Sequence, residues 1–382
     1  MIGTIRTSNR VMLKVLQNLT PGTRMLLDIL WRDGPQSRAR VAEITGFSRA
    51  SVTNIADDLI DRGLLVEQPA EKGKRGQPAR PLALRGGAGY AIGISFSTSY
   101  GEVGVIDFAG KLIGQSRFVI AAPTVEAIGD GAVAAINDLT ERHRLAASRR
   151  IGVGIAIPAD FDTKGIALPH TLFPDLAGPG LADRFSQRLD MAATVENDGR
   201  SSAIGERLVG VGTEYRTFML VHLGHGVGGG LIIRGTPYRG AWGNAGILGQ
   251  YYPYGAPRPS ALDLLETLGA QGFDASDFDW LENAPTDSAP VIEAWAHRVG
   301  EQLSGDLARV SRFFGPEAVL LAGRVPAEVL EAIASHISFE TVLRPMDNLP
   351  IPPLRTSKLG PAAGVIGAAA VPILNILVPS DV

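Results

Sequence analysis

The sequence predicts an α/β protein in two parts: a small three-helix head closed by a two-stranded wing, then a larger body of two lobes in which strands and helices alternate. Three observations carry this reading. Residues 1–85 hold short apolar stripes at helical spacing, separated by glycine, followed by a loop rich in Gly, Pro, Lys and Arg. From Gly89 the texture changes to apolar runs of strand length interrupted by longer helical stretches. At 382 residues the chain is also too long for one ordinary core.

In the head, residues 23–31 carry Met25, Leu26, Ile29 and Leu30 at helical spacing, and Gly34-Pro35 ends the helix. Ser37 caps a second helix over 38–45, with Val41, Ala42 and Ile44 facing inward. Gly46 supplies the left-handed residue of a tight turn. Ser48 caps a third helix running to about Arg62, with Val52, Ile55, Leu59 and Ile60 as its buried stripe. Residues 63–67 read as the first wing strand, and 68–81 as the wing loop and returning strand.

In the body, strands are expected over 89–97, 102–108, 111–120 and 150–158, with a helix over 125–145. A strand at 193–196 runs into a helix at 199–208. The second lobe opens with strands at 217–223 and 230–234 around a glycine-rich turn, followed by helices near 260–268 and 290–314 and a strand at 318–321. Residues 359–379 form an uncharged run about as long as a membrane span. Because it contains Pro361, Pro372 and glycines, it reads as a buried helix followed by a strand or tail. The expected division is 1–85 for the head and 86–382 for the body, with lobes of about 86–212 and 213–382.

Composition narrows the function. Apolar residues make up 45% and charged residues 20%, which suits a packed, soluble chain. The absence of cysteine excludes disulfides and thiolate zinc sites and fits a reducing compartment. Arg6, Arg10 and Lys14 interrupt the apolar core a signal peptide needs, so a cytoplasmic location is expected, away from membrane. The net charge of −3 is unevenly spread: residues 1–85 hold 14 Lys and Arg against 8 Asp and Glu, the remainder 22 against 31. A basic head on an acidic body suits a head that meets a polyanion.

The head pattern is that of a winged helix-turn-helix. A helix that opens with Ser48-Arg49-Ala50-Ser51-Val52-Thr53 after a glycine turn presents polar residues to the major groove. Arg49, Ser51, Thr53 and Asn54 are the candidate base readers, since Arg pairs with guanine and Asn with adenine. Arg38 and Ser48 are candidate backbone contacts, Ser48 being an N-cap as well. Lys72, Lys74, Arg75 and Arg80 would lay the wing's positive charge along phosphates or into the minor groove.

In the body, Val195-Glu196-Asn197-Asp198 precedes Ala203-Ile204-Gly205-Glu206; Leu223-Gly224-His225-Gly226-Val227-Gly228-Gly229-Gly230 follows; then come Gly243-Asn244-Ala245-Gly246 and Gly367-Ala368-Ala369. In order and spacing these resemble the ROK family of repressors, open reading frames and sugar kinases, in its branch with an N-terminal winged helix. The head matches too, as Ser37-Arg38, Gly46-Phe47-Ser48 and Ser51-Val52. The resemblance implies a two-lobed actin-like, ribonuclease-H-like sugar-kinase fold for the body.

Departures from the family pattern bear on function. Where family kinases carry Asp-x-Gly-Gly-Thr, this chain has Ser95-Phe96-Ser97-Thr98-Ser99; His225 replaces a usual Thr, and a late Gly-Gly reads Ala322-Gly323. Close backbone approach and metal charge are both weakened, so neither phosphotransfer nor a cofactor is expected. The family's Glu-x-Gly-His reads Ile247-Leu248-Gly249-Gln250, and residues 254–261 lack the zinc-binding cysteines, so no metal is expected.

Asn197 and Asp198 remain as candidate contacts to a sugar effector, a role compatible with capping the next helix. Gln250, Asp263 and His170 join them. Arg200, if it faces the cleft, would suit a sugar phosphate or sugar acid; a surface position is the other reading. The implied function is a sugar-responsive repressor, a homodimer or tetramer on a palindromic DNA operator. An active sugar kinase with a regulatory head, and a DNA-binding protein whose body is only a dimerisation scaffold, are the alternatives.

Overall fold

The computed structural model describes residues 15–16, 18–69, 80–253, 255–339 and 350–378. Helix α1 (Pro21–Asp33) begins with Pro at its first position, is capped by Thr20 Oγ1 and stops at Gly34. It buries Leu26, Leu27, Ile29 and Leu30. Met25, which shares their helical spacing, is 45% exposed, while Leu27 is buried in the stripe. Helix α2 (Arg38–Thr45) is capped by Ser37 and ends at Gly46 with φ 72°. Only Val41 is buried there, and Ile44, expected inward, lies at the surface. Ser48 caps α3 (Arg49–Asp61), which buries Val52, Ala56 and Leu59.

Strands β1 (Leu65–Glu67) and β2 (Leu82–Leu84) pair antiparallel, Leu65 opposite Leu84. The returning wing strand therefore lies just beyond the stretch expected to contain it. Lys72, Lys74 and Arg75 fall outside the described residues.

The first body sheet contains β3 (Tyr90–Phe96), β4 (Tyr100–Asp107), β5 (Leu112–Val119), β6 (Arg150–Ile157) and β7 (Ala193–Asn197) in the order β5-β4-β3-β6-β7. The first three form an antiparallel meander; β6 and β7 run parallel to β3. Helices α4 (Val125–Arg142) and α5 (Leu181–Leu189) close an apolar core against it. Helix α6 (Asp198–Val209) leaves directly from β7.

The second sheet repeats the plan with β8 (Phe218–Leu223), β9 (Val227–Ile233), β10 (Thr236–Tyr238), β11 (Ala318–Gly323) and β12 (Leu354–Thr356), ordered β10-β9-β8-β11-β12. Again three strands are antiparallel and two join in parallel. Helices α7 (Ala261–Ala270), α8 (Phe278–Glu282), α9 (Ala289–Phe314) and α10 (Ala327–Ser335) cover it.

Helix α11 (Ala362–Leu377) was expected with the second lobe by its place in the chain, yet it packs on β3, β4 and β6 of the first sheet and along α6. The reason is its composition: it is apolar nearly all round, so it needs partners on every side. Two glycines allow the approach to α6. A Cβ at Gly367 would stand 1.6 Å from Ser201 O, and one at Gly205 2.0 Å from Ala363 O.

The far end of α11 meets the head. Leu26, Leu27 and Leu30 share one apolar core with Ile366, Val371, Ile373 and Leu377. Arg24 Nη1 donates to Ile376 O at 2.6 Å, and Arg207 Nη2 donates to Arg32 O. Among the described residues no helix is long and apolar enough to cross a membrane.

Candidate functional site

Two surfaces hold most of the described residues singled out by sequence. In the head, Arg49, Ser51 and Asn54 are exposed on the first turns of α3 and Thr53 is half-buried. Ser48 Oγ accepts from Ser51 N at 3.0 Å and bonds Ser51 Oγ at 2.9 Å, so both serines fix the helix start. Thr53 Oγ1 donates to Arg49 O at 2.9 Å. The Arg49 and Asn54 side chains hold no hydrogen bond or ion pair among the described residues. Arg38 is engaged, with Nη2 2.9 Å from Asp57 and Nη1 on Glu67, so it ties α2 to α3 and to the wing. Arg80 is exposed and lies 3.7 Å from Glu67.

The second surface is the cleft between the sheets, a cavity of about 330 Å³ that receives Asn197, Asp198, His170 and Gln250. Asn197 is the N-cap of α6: its Oδ1 accepts from Arg200 N at 3.0 Å and its Nδ2 donates to Ala159 O at 3.1 Å. Asp198 Oδ1 accepts from Gly199 N at 2.7 Å, and Oδ2 lies 3.9 Å from His222 Nε2. Burial pushes the Asp198 carboxyl up to about 6, against the opposing pull of that backbone bond and of Arg324. Burial and Arg324 together push His222 down to about 3, so it stays neutral. His170 Nδ1 accepts from Leu172 N at 3.2 Å, which leaves Nε2 as the donor, and burial lowers its pKa. Gln250 Nε2 donates to Asp160 Oδ2 at 3.1 Å.

Two expected contacts lie elsewhere. Arg200 is 2% exposed: its Nε pairs with Glu196 at 2.9 Å and both Nη atoms donate to Gly243 O at 2.7 Å. It therefore lines neither the cleft nor the open surface; it joins α6 to the loop after β10. Burial raises the Glu196 carboxyl, but Arg200 and Arg239 outweigh it and hold the group below its ordinary value. Asp263 stands behind the cleft wall. Its Oδ1 accepts from Arg258 N at 3.0 Å, and Oδ2 from Trp295 Nε1 at 2.6 Å and from Arg298.

Three residues that sequence reasoning passed over shape the cleft. Arg258 and Asp160 line it. Arg324, just past the Ala322-Gly323 pair, crosses from the second lobe to the first: its Nη2 donates to Ser95 Oγ at 2.8 Å and to Phe96 O at 3.0 Å. The signal for Arg324 was a cation immediately after Ala322-Gly323; for Arg258 it was a lone arginine in a loop noted only for its missing cysteines. His225 packs edge-on between Phe173 at 5.1 Å and Phe278 at 4.9 Å, closing the same flank. The donor set there does not fit a metal–nucleotide, since the buried guanidinium already holds the strand end. Ile247, Gln250 and Pro253 likewise offer no thiolate or imidazole for zinc.

A winged head on a body of two repeated α/β lobes, with a ligand-sized cleft between them, defines the class. Residues 91–258 match the ROK family and residues 17–76 the MarR family. The chain is 33% identical to the uncharacterized protein y4fQ of Sinorhizobium fredii over 94% of this chain and 93% of that one. It is 23% identical to the xylose repressor of Bacillus spizizenii (93% and 96% covered) and to the DNA-binding transcriptional dual regulator NagC of Escherichia coli (83% and 84%).

Among solved structures, a ROK family transcriptional regulator, homolog of E. coli MLC protein, matches with a TM-score of 0.63 at 19% identity, covering 96% of this chain and 97% of that chain. A ROK family glucokinase from Streptomyces griseus, solved with glucose and AMPPNP, gives 0.59 at 24% identity, covering 74% of this chain and 99% of its own. The chain belongs to the ROK family, and it carries a MarR-type winged helix-turn-helix as its head.

Proposed function

We propose that this protein is a sequence-specific transcriptional repressor that binds a palindromic operator as a homodimer or tetramer and responds to a sugar or sugar derivative held in the interlobe cleft, without transferring phosphate. One observation carries this reading: α6 has the cleft's Asp198 at its first residue and, one helix length away, Arg207 donating to the last turn of α1 in the head. At 1.5 Å per residue the two ends of α6 are about 18 Å apart. Ligand at the near end and DNA at the far end thus act on one rigid element, itself wedged against α11.

The cleft volume suits a monosaccharide, and Asp198 and His170 supply an acceptor and a donor for its hydroxyls. That a xylose repressor lies among the relatives supports the ligand class. The Arg324 bridge to Ser95 and Phe96 supports the absence of phosphotransfer, because it puts a fixed cation where a metal and phosphates would need room. The head and body boundaries of 1–85 and 86–382 remain our assignment.

The reading is tested by selecting bound DNA from a random pool with the full-length protein, then titrating monosaccharides, sugar acids and sugar phosphates into the complex. A palindromic consensus and release by at least one sugar are expected. Release without a palindrome would remove the dimeric arrangement, and phosphorylation of any sugar in the presence of ATP would overturn the non-enzymatic reading.

A further inference from the structure

We infer that a cluster of four charges around Tyr100 is a clamp that holds the two lobes together and sets the angle between them. Its members come from both lobes: Glu102 on β4, Arg117 on β5, Asp279 on α8 and Arg324 directly after β11. Neither Tyr100 nor any of the four lines the ligand cavity.

The first-lobe half follows from strand register. Glu102 and Arg117 are direct partners across the antiparallel β4–β5 pair, which sets their side chains on one face. Arg117 Nε donates to Glu102 Oε1 at 3.3 Å, and the guanidinium lies 4.6 Å from the centre of the Tyr100 ring. Held by these two contacts, Arg117 reaches across with Nη1 to Asp279 Oδ1 at 2.8 Å. Asp279 is fixed in turn on a helix that Asp277 caps and whose Phe278 packs on His225.

The second crossing is buried. Besides Ser95 and Phe96, Arg324 meets the Tyr100 hydroxyl with Nη1 at 3.3 Å and lies 3.8 Å from Glu102 Oε2. That carboxylate oxygen is buried and holds no hydrogen bond, so the cation facing it comes from the other lobe. Parting the lobes would leave Glu102 with Arg117 alone and strip the Arg324 guanidinium of its first-lobe acceptors, a large cost for buried charges. The half-exposed Arg117–Asp279 pair would contribute little by itself; tied to the buried bridge through Glu102 and Tyr100, it acts within a network. Because the cavity takes its lining from both lobes, the clamp also fixes the cavity's shape. Asn244, which exchanges hydrogen bonds with the Phe161 backbone at 2.9 and 2.6 Å, joins the lobes without an ion pair, so salt tells the two kinds of tie apart.

The chain has no cysteine, so Glu141→Cys on α4 and Glu331→Cys on α10 place one spin label on each lobe of the full-length protein. A single narrow distance distribution is expected between them. It should broaden and shift to longer separations in Arg117→Ala and in Asp279→Ala, and the double variant should go no further than either alone. Raising salt from about 0.1 M to about 1 M, which shortens the screening length from about 10 to about 3 Å, should widen the wild-type distribution and change Asp279→Ala less. Arg324→Gln should open the lobes most. Should that variant fail to fold, the two surface variants still decide. An unchanged distribution in Asp279→Ala, additive shifts in the double variant, or the same response to salt with and without Asp279 overturns the clamp.

Discussion

Asp198 shows how one side chain can be fixed by folding and still remain available. Its first oxygen is tied to the helix start and its second lies 3.9 Å from the Nε2 of His222 on β8. Because burial raises its pKa to about 6, the carboxylate that accepts a sugar hydroxyl is fully formed only above that pH. Ligand affinity should therefore rise between pH 5 and 7 and level off above, and Asp198→Asn should flatten the profile; a titration at fixed ionic strength checks both. In the head, Arg49→Ala and Asn54→Ala should each weaken specific DNA binding by about 1–3 kcal/mol while leaving nonspecific binding little changed, as anisotropy with matched and scrambled sites will report. Ser48→Ala acts differently. It removes the cap of α3 and should lower stability by about 1 kcal/mol, seen as a lower melting temperature.

Arg200 marks the limit of what single residues reveal in sequence. Its number placed it one turn into α6, near the cleft, but its direction is decided by Glu196 on the preceding strand and by Gly243, a carbonyl 43 residues away. No local pattern encodes that pairing. Asn197 and Asp198 were legible because their positions depend only on the strand-to-helix junction that the local sequence itself specifies.

Among elements, the caps and glycine stops of the head and the longer strands of both sheets were readable, since they follow from local periodicity and turn chemistry; the three-residue edge strands β10 and β12 were not expected, being too short to show a period. The placement of α11 was not. An all-apolar helix has no polar face to declare which way it turns, so its partners are set by the glycines of other elements. Those contacts make α6 and α11 behave as one body. Gly367→Ala should force Ser201 and the α6 backbone aside and destabilise the protein by roughly 1–3 kcal/mol, measurable by denaturant unfolding. Arg207→Gln addresses the other end of α6. It should leave the affinity for ligand and for DNA each nearly intact, yet reduce the effect of one on the other.

For the whole molecule, the head is not a bead on a string. Its core continues into α11, and its α1 is held by Arg24 and Arg207 to two body helices. A change of the angle between lobes on ligand closure would therefore carry the head with it. The two heads of a dimer would then alter their spacing relative to successive major grooves. Energetically the switch is worth only the difference in ligand affinity between the two states, commonly 1–3 kcal/mol, or about 5- to 150-fold in DNA affinity.

The decisive measurement is the dissociation constant of the full-length protein for its selected operator, by fluorescence anisotropy, across a titration of monosaccharides, sugar acids and sugar phosphates, repeated with Asp198→Ala. A shift of fivefold or more in the wild-type protein that disappears in the variant is expected. A compound that binds the cleft by calorimetry yet leaves operator affinity unchanged would contradict the coupling of cleft to head through α6.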